Sequence, residues 1–581
     1  HFLESALNEG ADVRKNSTHL LSERAQGWLR FLWRKATTED DWSEDGEPHP
    51  WWDRYSTAPM MNFPRFDLSE SSYAIGLMAD MTPAWREVYA AILDGLAERH
   101  LTYWAAVDWL TQFGSDPNRK NYPQAWKDTL IPKHLFGDYD TPGWTANGIE
   151  PWGLQKDPIG AEGNLFFKGW LNLVMSLHHY VSGEKKWESP FEVAGLERTR
   201  FEWTQTKLAN HLVELWSRHP AGLHCENTKV WPLCLSAAGL GLQLYDTMSG
   251  TSTHNVFESW LEYAKENYFG IDDSNKLRWT TFYYDPILDE HMRHGPSDAL
   301  PTSLYILPQD PGYAEFLYHA AVTRMGWPDQ NKPFRAPNDP RFIALGMALA
   351  KEWGDDPTLS RLNDYADANF EPRAFGTDNS EFGWWFNFGE KWPRGQISAL
   401  LIMAEVGSKG AWRRLFHEPN LWKFEAPTVE GVDFPSLGIT EAWNDPDAGI
   451  LHIQTCVASS NLKGMPTTFC VTNLPDAGAV QIICDNQSFG LWRKTDAHTI
   501  VIDSDIAVHD FQITTGFRRK NIPTKNKRTQ GTSDGSIPRM NAQAVTTSHL
   551  MMTTGLARAP SFSCCHTKQR VNSLKMRGQK P

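Results

Sequence analysis

No apolar run in this chain reaches the ~18 residues that a membrane-spanning helix needs. No Cys-x-x-Cys pair, clustered metal-ligand motif or glycine-rich phosphate loop is present, so neither a metal nor an organic cofactor is expected. The seven cysteines, at 225, 234, 456, 470, 484, 564 and 565, are odd in number and widely spread. That argues against a disulfide framework and for reduced thiols. Excess positive charge is also lacking. A formal net charge of -14 gives the chain no electrostatic reason to bind nucleic acid or anionic membranes. Reduced thiols favour the cytoplasm; the chain opens on His1 and not on Met, so a leader or anchor upstream stays open.

What is abundant is tryptophan, with 27 residues in 581. Most such rings fill cores between helices, and a minority line pockets for apolar or sugar-like ligands. The length is too great for one compact core. Helical periodicity dominates up to about residue 420: Ser71–Met81, Trp85–Leu96, Gly169–Val181, Phe201–Trp216, Cys234–Tyr245, Val256–Glu266, Tyr313–Met325 and Gln396–Glu405 all repeat apolar residues at three and four. Long Trp-, Pro-, Gly- and Asp-rich loops such as Glu39–Arg54 and Tyr139–Pro158 separate them. Paired helices with long loops suit an (α/α) barrel with its site in the mouth; an irregular bundle fits the periodicity equally well.

After about residue 424 the pattern shortens. Gly449–Val457, Thr467–Val471, Ala479–Cys484 and Thr499–Val508 read as strands of a small β-sandwich-like domain, in which Cys456, Cys470 and Cys484 are plain buried thiols. From Arg518 onward the chain is basic, with Asp534 its only acid, and has no periodic apolar pattern. It reads as disordered. The expected organisation is therefore mainly α: a barrel over 15–423, a β-rich domain over 424–517, and a tail over 518–581.

Three segments carry candidate chemistry. Asp157–Asn164 leads into Leu165–Leu173, where Gly169 permits close approach and Asn172 on an apolar face needs a partner. Next, Gly222-Leu-His-Cys-Glu-Asn227 is followed, nine residues after Cys225, by Cys234 at a helix start, where backbone donors favour a thiolate. Two thiols, His224 and Glu226 could form an acid/base or nucleophilic site; two buried structural cysteines are the blander alternative. Third, Trp279–Pro286 and His294–Asp298 offer Tyr284 and Asp298 as holders of a hydroxyl, or as ordinary loop residues.

Taken in order, these segments resemble the linalool dehydratase/isomerase family over about residues 150–405. The shared pieces are Asp157-Pro-Ile159, Asn164, Lys168-Gly169, Leu171-Asn-Leu173 and Val181-Ser-Gly183; Gly222, Cys225-Glu226, Cys234, Ser236, Tyr245-Asp246 and Gly250; Tyr284 with Pro286; and the helix running into Gly354-Asp355. The resemblance implies an (α/α)6 barrel, assembly with further copies into a cyclic oligomer, and cofactor-free dehydration and isomerisation of an allylic terpene alcohol. It also implies that Cys225 and Cys234 form the acid/base pair on an apolar substrate. Asp53 and Tyr55 are the candidates for a family Asp and Tyr of the N-terminal region. Phe166 and Trp170 stand where the family carries Met and His, and Ser297 or Ala299 where it carries a Tyr. Phe166 and Trp170, four apart, should form one apolar wall suited to a larger substrate. A carbohydrate-active barrel with two opposed carboxylates, and a non-catalytic helical scaffold, are the competing readings.

Overall fold

The computed structural model describes residues 19–519 apart from 44, 54–63, 109–148, 151–152, 155, 196–197, 226–228, 287–288 and 388. Tyr55, Glu226 and nearly all of the expected tail lie outside the described residues.

Helices span Glu23–Thr37 (α1), Pro64–Met81 (α2), Glu87–His100 (α3), Tyr103–Asp108 (α4), Leu165–Ser182 (α5), Gln205–Arg218 (α6), Pro232–Ser249 (α7), Asn255–Asn267 (α8), Ala299–Ile306 (α9), Pro311–Met325 (α10), Arg341–Trp353 (α11), Asp356–Asn369 (α12), Gly395–Val406 (α13) and Ala411–His417 (α14). Six of them, α2, α5, α7, α9, α11 and α13, pack in a closed cycle, each on the next and α13 back on α2. The helices between them pack outside: α3 on α2 and α5, α6 on α5, α8 on α7, α10 on α9, α12 on α11, and α1 on α13 and α3.

Composition explains this division. Every residue of α5 from Leu165 to Val181 is buried, and so is nearly all of α13. Helices that are apolar all round need neighbours on every side. The outer α6 and α8 bury one stripe each, whereas α1 is buried continuously from Ala25 to Leu32. Gly169 meets a neighbouring helix, not a ligand: a Cβ there would lie 2.8 Å from the Cβ of Ala238, so glycine lets α5 and α7 approach closely.

Four of the inner helices, α7, α9, α11 and α13, begin after the long connections 219–231, 268–298, 326–340 and 370–394. Most inner helices pass to their outer partners by short ones, at 82–86, 250–254, 307–310 and 354–355. Short connections force antiparallel neighbours, so the inner helices start at one end of the ring and finish at the other. At the finishing end, α14 touches α2, α7 and α11, and its Trp412 indole donates to the carbonyl of Leu304.

Short hairpins interrupt the helical part. Ile149–Glu150 (β1) pairs with Gly153–Leu154 (β2), and Phe191–Ala194 (β3) with Arg200–Trp203 (β4). The helix expected from Phe201 therefore starts later, at Gln205, where the Thr204 side chain accepts the Lys207 amide. Phe269–Ile271 (β5), Leu277–Asp285 (β6) and Glu290–His294 (β7) form a three-stranded sheet, and Pro372–Phe375 (β8) pairs with Glu381–Trp384 (β9).

Nine further strands follow: Thr428–Glu430 (β10), Leu437–Asp445 (β11), Ile450–Val457 (β12), Pro466–Thr472 (β13), Gln481–Cys484 (β14), Gln487–Ser488 (β15), Trp492–Lys494 (β16), Ile500–Asp505 (β17) and Asp510–Thr514 (β18). They form two antiparallel sheets, ordered β10-β13-β17-β16 and β11-β12-β18-β14-β15, with Phe469 and Phe511 in ring contact between them at 5.6 Å. Along β13, buried positions alternate with more accessible ones, which is the mark of a strand with one core face.

Candidate active site

The starting end of the helical ring gathers the buried polar groups. Cys225 lies in the connection before α7, and its sulfur accepts the Phe166 amide N–H at 2.9 Å, in the first turn of α5. An amide at a helix N-terminus stabilises negative charge on sulfur. The Cys225 connection is braced from below. His224 bridges Val230, and Val230 bridges Tyr284 of β6. Lys229 pairs with Asp285 at 2.9 Å, both buried. Cys234 stands in the first turn of α7, which Pro232 opens.

The Phe166 and Trp170 rings stack, with centroids 4.0 Å apart and planes 13° from parallel. They do share a face, but the wall is not purely apolar. The Trp170 indole donates to the Tyr73 hydroxyl at 2.6 Å. That hydroxyl lies 3.1 Å from the Tyr305 hydroxyl, which donates in turn to Glu70 at 3.4 Å. The Gln396 side chain also bonds this carboxyl. One hydrogen-bonded path thus joins α5, α2, α9 and α13. Burial first, then the Glu70 charge at Tyr73 and the Tyr73 and Glu70 charges at Tyr305, push both hydroxyls well above their ordinary range, with Cys234 the smallest contributor.

Burial likewise raises the Glu70 carboxyl to about 7, although hydrogen bonds from Gln396 and Tyr305 and the charge of Arg341 oppose it. A pH dependence follows. The folded value lies above the ordinary 4.5, so the contribution is present below 4.5 and is lost as pH rises to about 7. Melting temperature is expected to fall over that window, and Glu70→Gln to flatten the fall. An equal slope in wild type and variant, measured by calorimetry, would remove Glu70 as the cause.

The remaining candidate residues are placed as follows. Asp53 takes the Gly395 amide on one oxygen at 3.0 Å and the Gln396 amide on the other at 2.9 Å, so it caps the start of α13. Burial and the adjacent Asp67 raise it to about 6. His224 is buried, and burial, then Lys168 and His219, depress it to about 3, which leaves a neutral imidazole at pH 7. Tyr284 donates to Asp289 at 2.9 Å, and Asp298 lies 3.1 Å from the His294 ring nitrogen. The structure thus links Cys225 through Phe166 and Trp170 to the polar path, and sets Cys234 in the first turn of α7. Tyr284 joins only through its backbone, and Asp298 pairs locally.

Sequence reasoning missed Glu70, Tyr73, Tyr305 and Gln396. A signal existed: Glu70 and Tyr73 sit one turn apart on an apolar helix, where a polar side chain must find a partner. Two cavities lie elsewhere. One of about 690 Å³ is lined by residues such as Thr38, Trp42, Glu98, Tyr103 and Arg200, and one of about 480 Å³ by Arg86, His179, Met248 and Phe424. Neither is lined by Cys225 or Cys234.

Residues 145–379 match the family model described as linalool dehydratase/isomerase, within the stretch that carries the resemblance. An unsaturated glucuronyl hydrolase from Streptococcus agalactiae superposes over 69% of this chain and 94% of its own, at 10% identity and a TM-score of 0.34. A GH127 β-L-arabinofuranosidase from Geobacillus stearothermophilus T6 superposes over 78% of this chain and 75% of its own, at 12% identity and a TM-score of 0.23.

Proposed function

We propose that this chain, whose residues 145–379 match the linalool dehydratase/isomerase family model, is a cofactor-independent lyase or isomerase acting on an apolar terpenoid alcohol. The observation that carries the reading is the nine-residue thiol pair at the starting end of a closed helical cycle, with Cys225 against the N-terminus of α5 and Cys234 in the first turn of α7. The cycle of six inner and six outer helices supports an (α/α)6 barrel.

In this reading the Cys225 thiolate takes a proton from a carbon next to the carbinol carbon. Cys234 gives its proton to the hydroxyl. The C–O bond breaks, water leaves, and the electrons of the C–H bond become the new C=C bond. Cys225 then gives the proton it gained to water, and one proton from water returns to Cys234 along the Glu70–Tyr305–Tyr73 path, so the only net change is loss of water from the alcohol. No electron acceptor is consumed. A water-poor site protects an allylic, carbocation-like transition state. The stacked Phe166–Trp170 pair presents a large aromatic surface, which favours a substrate larger than a monoterpenoid alcohol.

The carbohydrate reading needs two opposed carboxylates, one of them free to act. Glu70 is a candidate acid, but both oxygens of the neighbouring Asp53 are taken by helix amides. The test offers the purified full-length protein a series of tertiary allylic alcohols of increasing size, beside unsaturated uronyl and arabinofuranosyl glycosides. Loss of water from an alcohol, read by gas chromatography with mass detection, is the expected result. Glycoside hydrolysis with every alcohol untouched would overturn the reading.

A further inference from the structure

Among the described residues, one group of potential metal ligands comes together, and it lies on the β sheets: Cys484, Asp485 and His509, with one donor atom from each within 4.8 Å of the others. Cys484 ends β14, Asp485 opens the turn to β15, and His509 immediately precedes β18. The pairing of β14 with β18 brings these distant positions side by side, with Cys484 opposite Phe511.

The geometry is that of a prepared site. Asp485 is clamped by the chain: its amide donates to the Asp510 carbonyl at 2.9 Å, and its Oδ1 accepts the Asp510 amide at 3.0 Å. That leaves Oδ2 toward the other two donors, 2.8 Å from His509 Nδ1 and 3.6 Å from Cys484 Sγ. Bonds of about 2.0–2.3 Å in a tetrahedral zinc-type site hold ligand atoms about 3.2–3.7 Å apart. The sulfur–oxygen separation already fits, and the nitrogen–oxygen one needs a small opening. The second nitrogen of His509, Nε2, lies 3.0 Å from Asp505 Oδ1. A carboxylate on the far nitrogen fixes ring and tautomer, which is how metal-binding histidines are oriented.

Electrostatics agrees with the geometry. Asp485 beside the thiol and Asp505 beside the imidazole concentrate negative charge that a divalent cation relieves, releasing the thiol proton to solvent. Asp485 and Asp505 are about half exposed, so an ion has a path in.

We propose that Cys484, Asp485 and His509 bind one borderline divalent cation of the zinc or cobalt class, with water as fourth ligand and Asp505 orienting the imidazole. Thiolate, imidazole and carboxylate together suit such an ion better than calcium or magnesium, which take oxygen ligands. The site is structural: it would tie β14 to β18. It is separate from the thiol pair and independent of the proposed reaction.

The experiment uses metal-free full-length protein, kept reduced, titrated with cobalt(II). The expected result is a near-ultraviolet thiolate-to-cobalt band with visible tetrahedral bands, saturating at one equivalent and abolished by zinc. Cys484→Ser should lose the charge-transfer band, and Cys225→Ser/Cys234→Ser should keep it. Asp505→Asn should weaken binding by about 10–100-fold. Should Cys484→Ser not fold, His509→Gln gives the same reading. Absence of the band at saturating cobalt, its survival in Cys484→Ser, or an unaltered titration in His509→Gln would overturn the proposal.

Discussion

Cys234→Ser should lower kcat for a turned-over alcohol by about 10²–10⁴-fold, the usual worth of one positioned acid/base group. The hydroxyl of serine is similar in size but a far weaker acid than a thiol, so shape survives while proton delivery does not. Cys225→Ser should cost a similar factor, because the Phe166 amide that supports negative charge on sulfur cannot make an alkoxide at neutral pH. The double variant should be hardly worse than either single one, since two groups that act in one step are not additive. Glu70→Gln tests the path behind Cys234. It keeps the hydrogen bond to Tyr305 while removing the titration, so it should move the kcat–pH profile more than KM. A Cys234→Ser protein that keeps a third or more of wild-type kcat would show that the thiol is a packed core residue.

How much of this was legible differs by level. Helix periodicity located eight of the helices, because inner and outer faces both repeat at three and four. The cyclic closure was not legible, since which helix meets which depends on pairings such as α2 with α13, far apart in sequence. Strand β11 was missed; its ladder is interrupted by a register shift between Ile439 and Glu441. In the site, the thiols were visible from spacing alone. Glu70, Tyr305 and Gln396 were not, because they come from three different inner helices and only the closed cycle makes them neighbours. The Cys484 and His509 pair was invisible for a similar reason: it needs the β14–β18 register, which no local pattern encodes.

The second large effect is on stability. Lys35 of α1 and Asp67 of α2 form an ion pair at 2.8 Å with both side chains fully buried. Asp67 is also a hub: it accepts the Asp53 amide at 3.1 Å and the Ser71 hydroxyl at 3.2 Å. It presses on the start of α13, where a Cβ at Gly395 would lie 2.2 Å from its carboxylate oxygen. The pair therefore joins an outer helix to two inner ones beside the mouth. Asp67→Ala strands a buried ammonium and two further donors, and removing one partner of such a pair costs about 3–5 kcal/mol. The Trp52 ring, 4.3 Å from Lys35 Nζ, supplies part of the lost attraction and keeps the cost toward the lower end of that range. Lys35→Met combined with Asp67→Leu should recover much of the loss, because the desolvation of both charges disappears with them. Urea unfolding followed by tryptophan fluorescence measures all three proteins. If Asp67→Ala unfolds within about 1 kcal/mol of wild type, the ordinary scale of a surface pair, then water reaches Lys35, and the joint between α1, α2 and α13 is not what holds the mouth together.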